Sequence, residues 1–379
     1  MKKSAFVYSD KLQSYDYGAH HPLKMVRLRL TYELLKEYGA FLGPEVELVE
    51  AEPCTQRDAE TVHYHEYLDV LNCIDHGVIP EELGKYGLGH GDNPAFKGVY
   101  AGSMLSTGAS MQAARIVHEG LAGSAFNISG GLHHAMPRRA SGFCYINDPA
   151  VAIKWLVGQG RKVAYIDIDA HHGDGVEHIF YDTDQVLTVS LHEDGNYLFP
   201  GTGFADIFGV GKGRGYAVNL PFIPGTGDEV FRWGFFELIP QLMDLYRPDI
   251  VVAQLGCDTF ATDPLTHLQL TTNGFIDMVK GFRDLGLPWV ALGGGGYDVT
   301  NVARAWSLAF GVMAGIELPA GLPEGYKEIL REERLPGGEL LRDEPIYQDE
   351  KEILAQRQAA ESALLTIKHE VLPLVRGKR

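Results

Sequence analysis

Residues 163–175, VAYIDIDAHHGDG, place Asp167, Asp169 and His171 two positions apart at the end of an apolar run. If the extended conformation holds to the end of the run, all three side chains share one face. Two carboxylates on one face of a buried strand are costly unless they are paired, hydrogen-bonded or bound to a cation. A metal site satisfies that requirement most simply. Asp258, after the run DIVVAQLGC, is a further carboxylate ligand if its segment reaches the same edge. Read alone, Asp258 would as readily cap the turn that follows it. Asp169, His171 and Asp258 together fit a catalytic zinc, which takes about three protein ligands and keeps one position open. An Asp₂His set would also accept Fe²⁺.

A second cluster is His133–His134 in GGLHHA. Two adjacent histidines are a weak signal by themselves. Here Asp167 and Asp174 are available to accept a ring N–H from each, fixing the tautomers and leaving a base and an acid beside the metal. Tyr297 ends the run ALGGGGY. No Lys-Ser/Thr follows the glycines, so a phosphate loop is excluded, and a hydroxyl on a glycine loop suits an oxyanion donor. Phe143 (SGFCY) and Phe199 (LFPGTG) read as core residues alone, or as walls of an apolar channel if their Gly-rich loops meet at the same edge.

The elements that must position these residues are legible as apolar runs at 5–8, 45–50, 124–129, 162–169, 185–191, 216–222, 249–256 and 289–295. Helical patterns lie between many of them, at 22–38, 98–119, 148–158, 228–246, 272–285 and 299–314. Continuous apolar runs alternating with helices predict an open, mostly parallel sheet with helices on both faces. The polar candidates all follow strand ends, where ligands bind in such sheets, so five separate segments converge on one edge. From about 317 to 349 the composition turns to Pro, Gly and charge, and a last helical pattern covers roughly 350–372. The expected division is a catalytic domain over 1–316 and an appendage over 317–379, a linker plus a helix packed on that domain.

The chain has 379 residues, 45% of them hydrophobic, enough for one large α/β domain with a full core. Its 33 Lys+Arg stand against 50 Asp+Glu, a formal net charge of −17. That field repels nucleic acid and anionic membranes and attracts cationic substrates, although an acidic surface also simply aids solubility. Cys54, Cys73, Cys144 and Cys257 form no CxxC pair, so neither a zinc ribbon nor a disulfide framework is indicated. No segment approaches a membrane span or an apolar leader, and a cytoplasmic location is expected.

Taken together, DYGAHHPLKMVRLRLT (16–31), GLHHAMPRRASGFCYINDPAVAI, YIDIDAHHGDGVEHIFYDTDQVLTVSLH, FPGTG, QLGCDTFATDPL and LGGGGYDVTNVARAW resemble the zinc-dependent histone deacetylases of the class I type. Among them it resembles the bacterial acetoin-utilisation deacetylases in particular. The resemblance implies an arginase-like open sheet of about eight strands and hydrolysis of an N-acetylated amine, usually acetyl-lysine of a protein. The target it suggests is a metabolic enzyme such as an acyl-CoA synthetase. Asp169, His171 and Asp258 match the family's zinc ligands. His133 and His134, backed by Asp167 and Asp174, match its tandem histidines, and Tyr297 its tyrosine. A neutral histidine, His134 by preference, would take the proton from water, with His133 able to share the work. Gly142, Phe143, Phe199 and Leu265 match the walls of the acetyl-lysine tube, Asp92 the acidic residue at its rim, and Arg27 an arginine below the zinc.

The family also binds structural potassium. Asp167, Asp169, His171, Ser190 and Leu191 match one position, and Phe180, Thr183, Val186 and Tyr216 a second. Met136, Pro137, Arg138 and Arg139 depart from the lysine and acidic residues usual in eukaryotic relatives, which implies a different rim preference. An acetylpolyamine amidohydrolase would use the same chemistry on a slender polycation, and the acidic charge suits it. The absence of a long lid insertion favours peptides. A non-catalytic acetyl-lysine binder would need a broken site, and an arginase-like ureohydrolase would need more carboxylates for two manganese ions.

Overall fold

The computed structural model describes residues 3–89 and 91–375. Eight strands form one sheet: β1 (Ser4–Tyr8), β2 (Val46–Glu50), β3 (Ser124–Asn127), β4 (Val163–Asp167), β5 (Val186–Glu193), β6 (Ala217–Phe222), β7 (Ile250–Gln254) and β8 (Trp289–Leu292). Their order is β2-β1-β3-β8-β7-β4-β5-β6, and every pairing is parallel. Strand residues alternate between faces, yet β1, β3, β4, β5, β7 and β8 are buried at every position. Both faces are therefore covered, which explains why the strands read as unbroken apolar runs.

The covering helices are α1 (Val26–Glu37), α2 (Gln56–Ala59), α3 (His65–Asp75), α4 (Val99–His118), α5 (Asp148–Gly158), α6 (Asp174–Phe180), α7 (Asp228–Tyr246), α8 (Thr272–Asp284), α9 (Val299–Ala314), α10 (Glu324–Glu332) and α11 (Glu350–Thr366). They form two neighbouring series, with α1, α9, α8, α7 and α11 packed in succession and α3, α4, α5 and α6 likewise. The six helical patterns read from the sequence are all helices here. α2, α3, α6 and α10 were not anticipated. Residues 317–375 share the main core through Tyr326 and Leu330 of α10 and through Ala360 and Leu364 of α11. No helix among the described residues is long and apolar enough to cross a membrane.

One expectation needs correction. β4 stops at Asp167, so Asp169 and His171 do not lie on a strand face with it. The reason is local. Asp169 N–H donates to Asp167 Oδ1 at 3.0 Å, and His171 N–H donates to Asp169 Oδ1 at 2.9 Å. Each aspartate bonds the backbone two residues on, and these successive turns curl the chain out of the extended conformation. The three side chains still meet, but through turns rather than through the pleat.

Candidate active site

The four adjacent strands β3, β8, β7 and β4 end in the four loops that carry the candidate residues. β3 leads to His133 and His134, β4 to Asp169 and His171, β7 to Asp258, and β8 to Tyr297. Asp169, His171 and Asp258 are buried and offer three ligand atoms within 4.8 Å of one another. His171 Nδ1 lies 2.9 Å from Asp258 Oδ2 and 3.2 Å from Asp169 Oδ1. Zinc bonds of about 2.0–2.2 Å in a tetrahedron place ligand atoms about 3.3 Å apart, so the spacing already suits one ion. The charges point the same way. Burial opposes a proton on His171, but Asp258 and Asp169 outweigh it and hold the ring well above its ordinary value. Burial and then Asp169 push Asp258 up to about 6. Without a cation the cluster keeps a proton between its ligands, and a divalent ion would displace it.

The other two oxygens of the pair are tied down. Asp169 Oδ2 accepts from Gln254 Nε2 at 2.7 Å and from Gly295 N–H at 2.8 Å, and Asp258 Oδ1 accepts from Ala170 N–H at 2.8 Å. Gln254, the last residue of β7, was not singled out from the sequence, although a lone amide in VVAQLG was a visible signal.

His133 Nδ1 pairs with Asp167 Oδ2 at 2.7 Å and His134 Nδ1 with Asp174 Oδ1 at 2.7 Å, the two aspartates offered as their partners. The two Nε2 atoms are 3.1 Å apart, so one of them donates to the other. Burial opposes charge on His133, but Asp167 and Asp169 overcome it and raise the ring to about 9. Burial, then the charge of His133, lowers His134 to about 4. The pair thus favours a single positive charge, on His133, with His134 neutral and its Nδ1–H turned to Asp174. Tyr165, also missed, donates its hydroxyl to Asp167 Oδ2 at 2.6 Å. The histidine loop rests on Asp148 at the start of α5, whose carboxylate accepts from Gly131 and Leu132 N–H at 3.0 and 2.9 Å.

A narrow cavity at this cluster is lined by Leu23, Gly142, Phe143, His134 and Tyr297, and by Arg27 and Cys144. Phe143 adopts φ 69°, rare for a bulky residue, and its ring stands edge-on to Tyr297 with centroids 5.6 Å apart. Phe199 stands edge-on to His134 at 5.0 Å and is 44% exposed, which makes it a wall at the mouth rather than core. Burial, then Asp258 and Asp169, push the Tyr297 hydroxyl well above its usual 10.0, so it stays a donor. Arg27 donates to the Gly296 carbonyl at 3.0 Å and lies over the Trp306 ring. Asp92 and Leu265 line a trough of about 570 Å³ on the Phe143 side, and a second trough of about 400 Å³ lies beyond Phe199, lined by Met136, Arg139 and His178.

The remaining candidates fall into two places. Ser190 lies beside Asp167 in register on β5, next to Leu191, and Asp169 and His171 follow Asp167 two and four residues on in the chain that leaves β4. Phe180, Thr183, Val186 and Tyr216 gather where β5 begins. There the Phe180 carbonyl accepts from Thr183 N–H at 3.2 Å and the Tyr216 carbonyl from Thr188 N–H at 2.9 Å. Asp263, another residue not singled out, accepts from Tyr297 N–H at 2.8 Å and Leu265 N–H at 2.9 Å.

Comparison with known proteins agrees with this geometry. The histone deacetylase domain model matches residues 21–313. The chain is 40% identical over 337 residues to histone deacetylase clr6 of Schizosaccharomyces pombe, covering 87% of this chain and 81% of that one. It is 40% identical over 325 residues to the acetoin utilization protein AcuC of Bacillus subtilis, covering 84% of each. The crystal structure of an HDAC homologue from Aquifex aeolicus superposes with a TM-score of 0.85 at 32% identity, covering 96% of this chain and all of that one. An HDAC homologue complexed with SAHA gives 0.87 at 33% identity over the same shares. The chain belongs to the histone deacetylase family and is, accordingly, a deacetylase that hydrolyses amide bonds.

Proposed function

We propose that this protein is a zinc-dependent lysine deacetylase that removes acetyl groups from the Nε atom of lysine in polypeptides and releases acetate. The observation that carries the reading is one narrow cavity lined by Asp169 and His171 of the three-ligand cluster, the paired histidines and Tyr297. Asp169, His171 and Asp258 would hold the zinc, since their donor atoms have the chemistry and spacing for it. Bound there, zinc supplies Lewis acidity, polarising a carbonyl and making water easier to deprotonate.

The protein groups do the rest. Gly142, Phe143 and Phe199 line the tube and keep the acetyl-lysine stem out of water, with Leu265 at the mouth. Neutral His134 accepts a proton from the attacking water at Nε2, in exchange for the hydrogen bond that atom receives from His133, its ring oriented by Asp174. Charged His133, oriented by Asp167, gives a proton to the departing amine. The Tyr297 hydroxyl donates to the developing oxyanion, a contribution worth about 10²–10³ in rate. Arg27 positions the Gly296 carbonyl behind that tyrosine. The residues matching the two potassium positions would hold structural K⁺, the first next to the zinc ligands and the second at the start of β5.

Polypeptides are favoured over polyamines by the two troughs that flank the mouth, since an extended chain fills both and a slender amine neither. Asp92 at the rim would receive the peptide backbone. We assign the catalytic chemistry to residues 1–316, with 317–379 as a C-terminal appendage, in a cytoplasmic protein whose target is a metabolic enzyme such as an acyl-CoA synthetase. The net charge of −17 supports the second reading, an acetylpolyamine amidohydrolase. Turnover of an acetyl-lysine peptide and of acetylspermidine by the same zinc-loaded preparation separates the two. Higher kcat/KM on the peptide is expected, and turnover of acetylspermidine alone would reverse the assignment.

A further inference from the structure

The loop from β8 to α9 places Tyr297 without regular structure of its own. Gly294 and Gly296 have φ of 134° and 135°, which L side chains rarely adopt, so the run needs glycine and is intrinsically loose. Four hydrogen bonds remove that freedom. Gly295 N–H donates to Asp169 Oδ2 at 2.8 Å, Cys257 N–H donates to the Gly295 carbonyl at 2.8 Å, and Arg27 donates to the Gly296 carbonyl at 3.0 Å. These three hold the glycines. The fourth holds the tyrosine itself: its N–H donates to Asp263 Oδ2 at 2.8 Å. The other oxygen of Asp263 accepts from Leu265 N–H at 2.9 Å, and Asp263 N–H donates to the Phe260 carbonyl at 2.9 Å. Asp263 is 8% exposed and is not one of the three clustered ligands. One buried carboxylate therefore joins the residue at the tube mouth to the residue that donates at its floor.

We propose that Asp263 is a positioning residue for deacetylation: by clamping the backbone of Tyr297 to that of Leu265, it presets the phenol where the oxyanion forms. The inference rests on the reading of Tyr297 as the oxyanion donor. A buried aspartate that only helps the loop fold would have the same contacts, so the test must ask whether Asp263 acts through Tyr297.

Asp263→Asn keeps the size but turns an NH₂ toward one of the two N–H groups. Misplacing a catalytic group by about 1 Å costs up to about 10²-fold in rate. The expected result is kcat lowered about 10- to 100-fold, KM changed less than about threefold, and zinc content unchanged. In the Tyr297→Phe background, the same substitution should lower kcat by less than about twofold, because the group it positions is already gone. All rates are referred to the zinc-loaded, folded fraction, measured by metal content and near-UV circular dichroism, so partial misfolding does not imitate the effect. Wild-type kcat in Asp263→Asn, or an equal loss in both backgrounds, overturns the inference while leaving the deacetylase reading intact. Undiminished turnover in Tyr297→Phe alone overturns both.

Discussion

Gly142→Ala probes the tube wall beside His134 and Phe199. A Cβ at this position would lie 2.4 Å from His134 Cδ2, 2.8 Å from His134 Cγ and 2.9 Å from Phe199 Cε1. Carbon atoms rest about 3.5–4.0 Å apart, so the imidazole must retreat by about 1 Å or the loop must open by as much. His134 is held from behind by Asp174 at 2.7 Å, which leaves the ring little room. A displacement of that size costs up to about 10²-fold in rate. The backbone adds its own penalty, since Gly142 has φ 51° and the left-handed region costs an alanine about 1–2 kcal/mol. With overpacking, the total stability loss should be about 2–4 kcal/mol. Gly77→Ala is the reference, because Gly77 has φ 79° but nothing within 4 Å of its Cβ position. Steady-state kinetics on an acetyl-lysine peptide and thermal melts of both variants separate the terms. Gly142→Ala should lose about 10²-fold in kcat/KM with zinc retained, and Gly77→Ala should lose stability alone. Wild-type kcat/KM in folded Gly142→Ala would refute the steric argument and the role given to His134.

Two further perturbations follow from the geometry. His63 is buried, and its Nε2 accepts from Asn147 N–H at 2.9 Å; burial lowers the ring from 6.5 to about 4. The fold therefore favours the neutral form, with the full benefit present above the unfolded pKa and lost as pH falls through the window from 6.5 to 4. By pH 5 the loss is about 2 kcal/mol, so urea unfolding of wild type against His63→Gln should show that much extra acid sensitivity in wild type; parallel pH profiles would contradict it. Gln254→Leu removes the amide that holds Asp169 Oδ2 at 2.7 Å. Zinc affinity measured by competition with a chelator should fall about 10- to 100-fold, and an unchanged affinity would mean the backbone donor from Gly295 suffices.

All eight strands were legible: six are buried at every position, which leaves uninterrupted apolar runs ending at the polar loops, and the largely exposed edge strand β2 still shows through Val46, Leu48 and Val49. The convergence of those loops followed from parallel topology alone. What could not be read was local polar competition. Asp167 and Asp169 look like the end of a strand, and only the hydrogen bonds to their own backbone show that they end it. α3 was passed over although Leu68, Leu71 and Ile74 carry a helical spacing, and α6 was hidden because its first residue, Asp174, had been read only as a partner for histidine. Asp148, Asp263 and Gln254 were missed for one reason. Each acts through backbone or carboxylate partners far away in the chain, and no spacing announces such a contact. Asp148 meets Gly131 and Leu132 across α5 and the histidine loop, and Asp263 meets Tyr297 from β7's side of the tube.

The central claim is that zinc held by Asp169, His171 and Asp258 works together with Tyr297 on an acetylated lysine. The most direct measurement is hydrolysis of an acetyl-lysine peptide by wild type and Tyr297→Phe, each stripped of metal and then reloaded with zinc. Wild type should be inactive when stripped and active when reloaded, and reloaded Tyr297→Phe should remain about 10²–10³-fold slower with the same zinc content. Turnover that survives metal removal, or a phenylalanine variant as fast as wild type, would contradict the account.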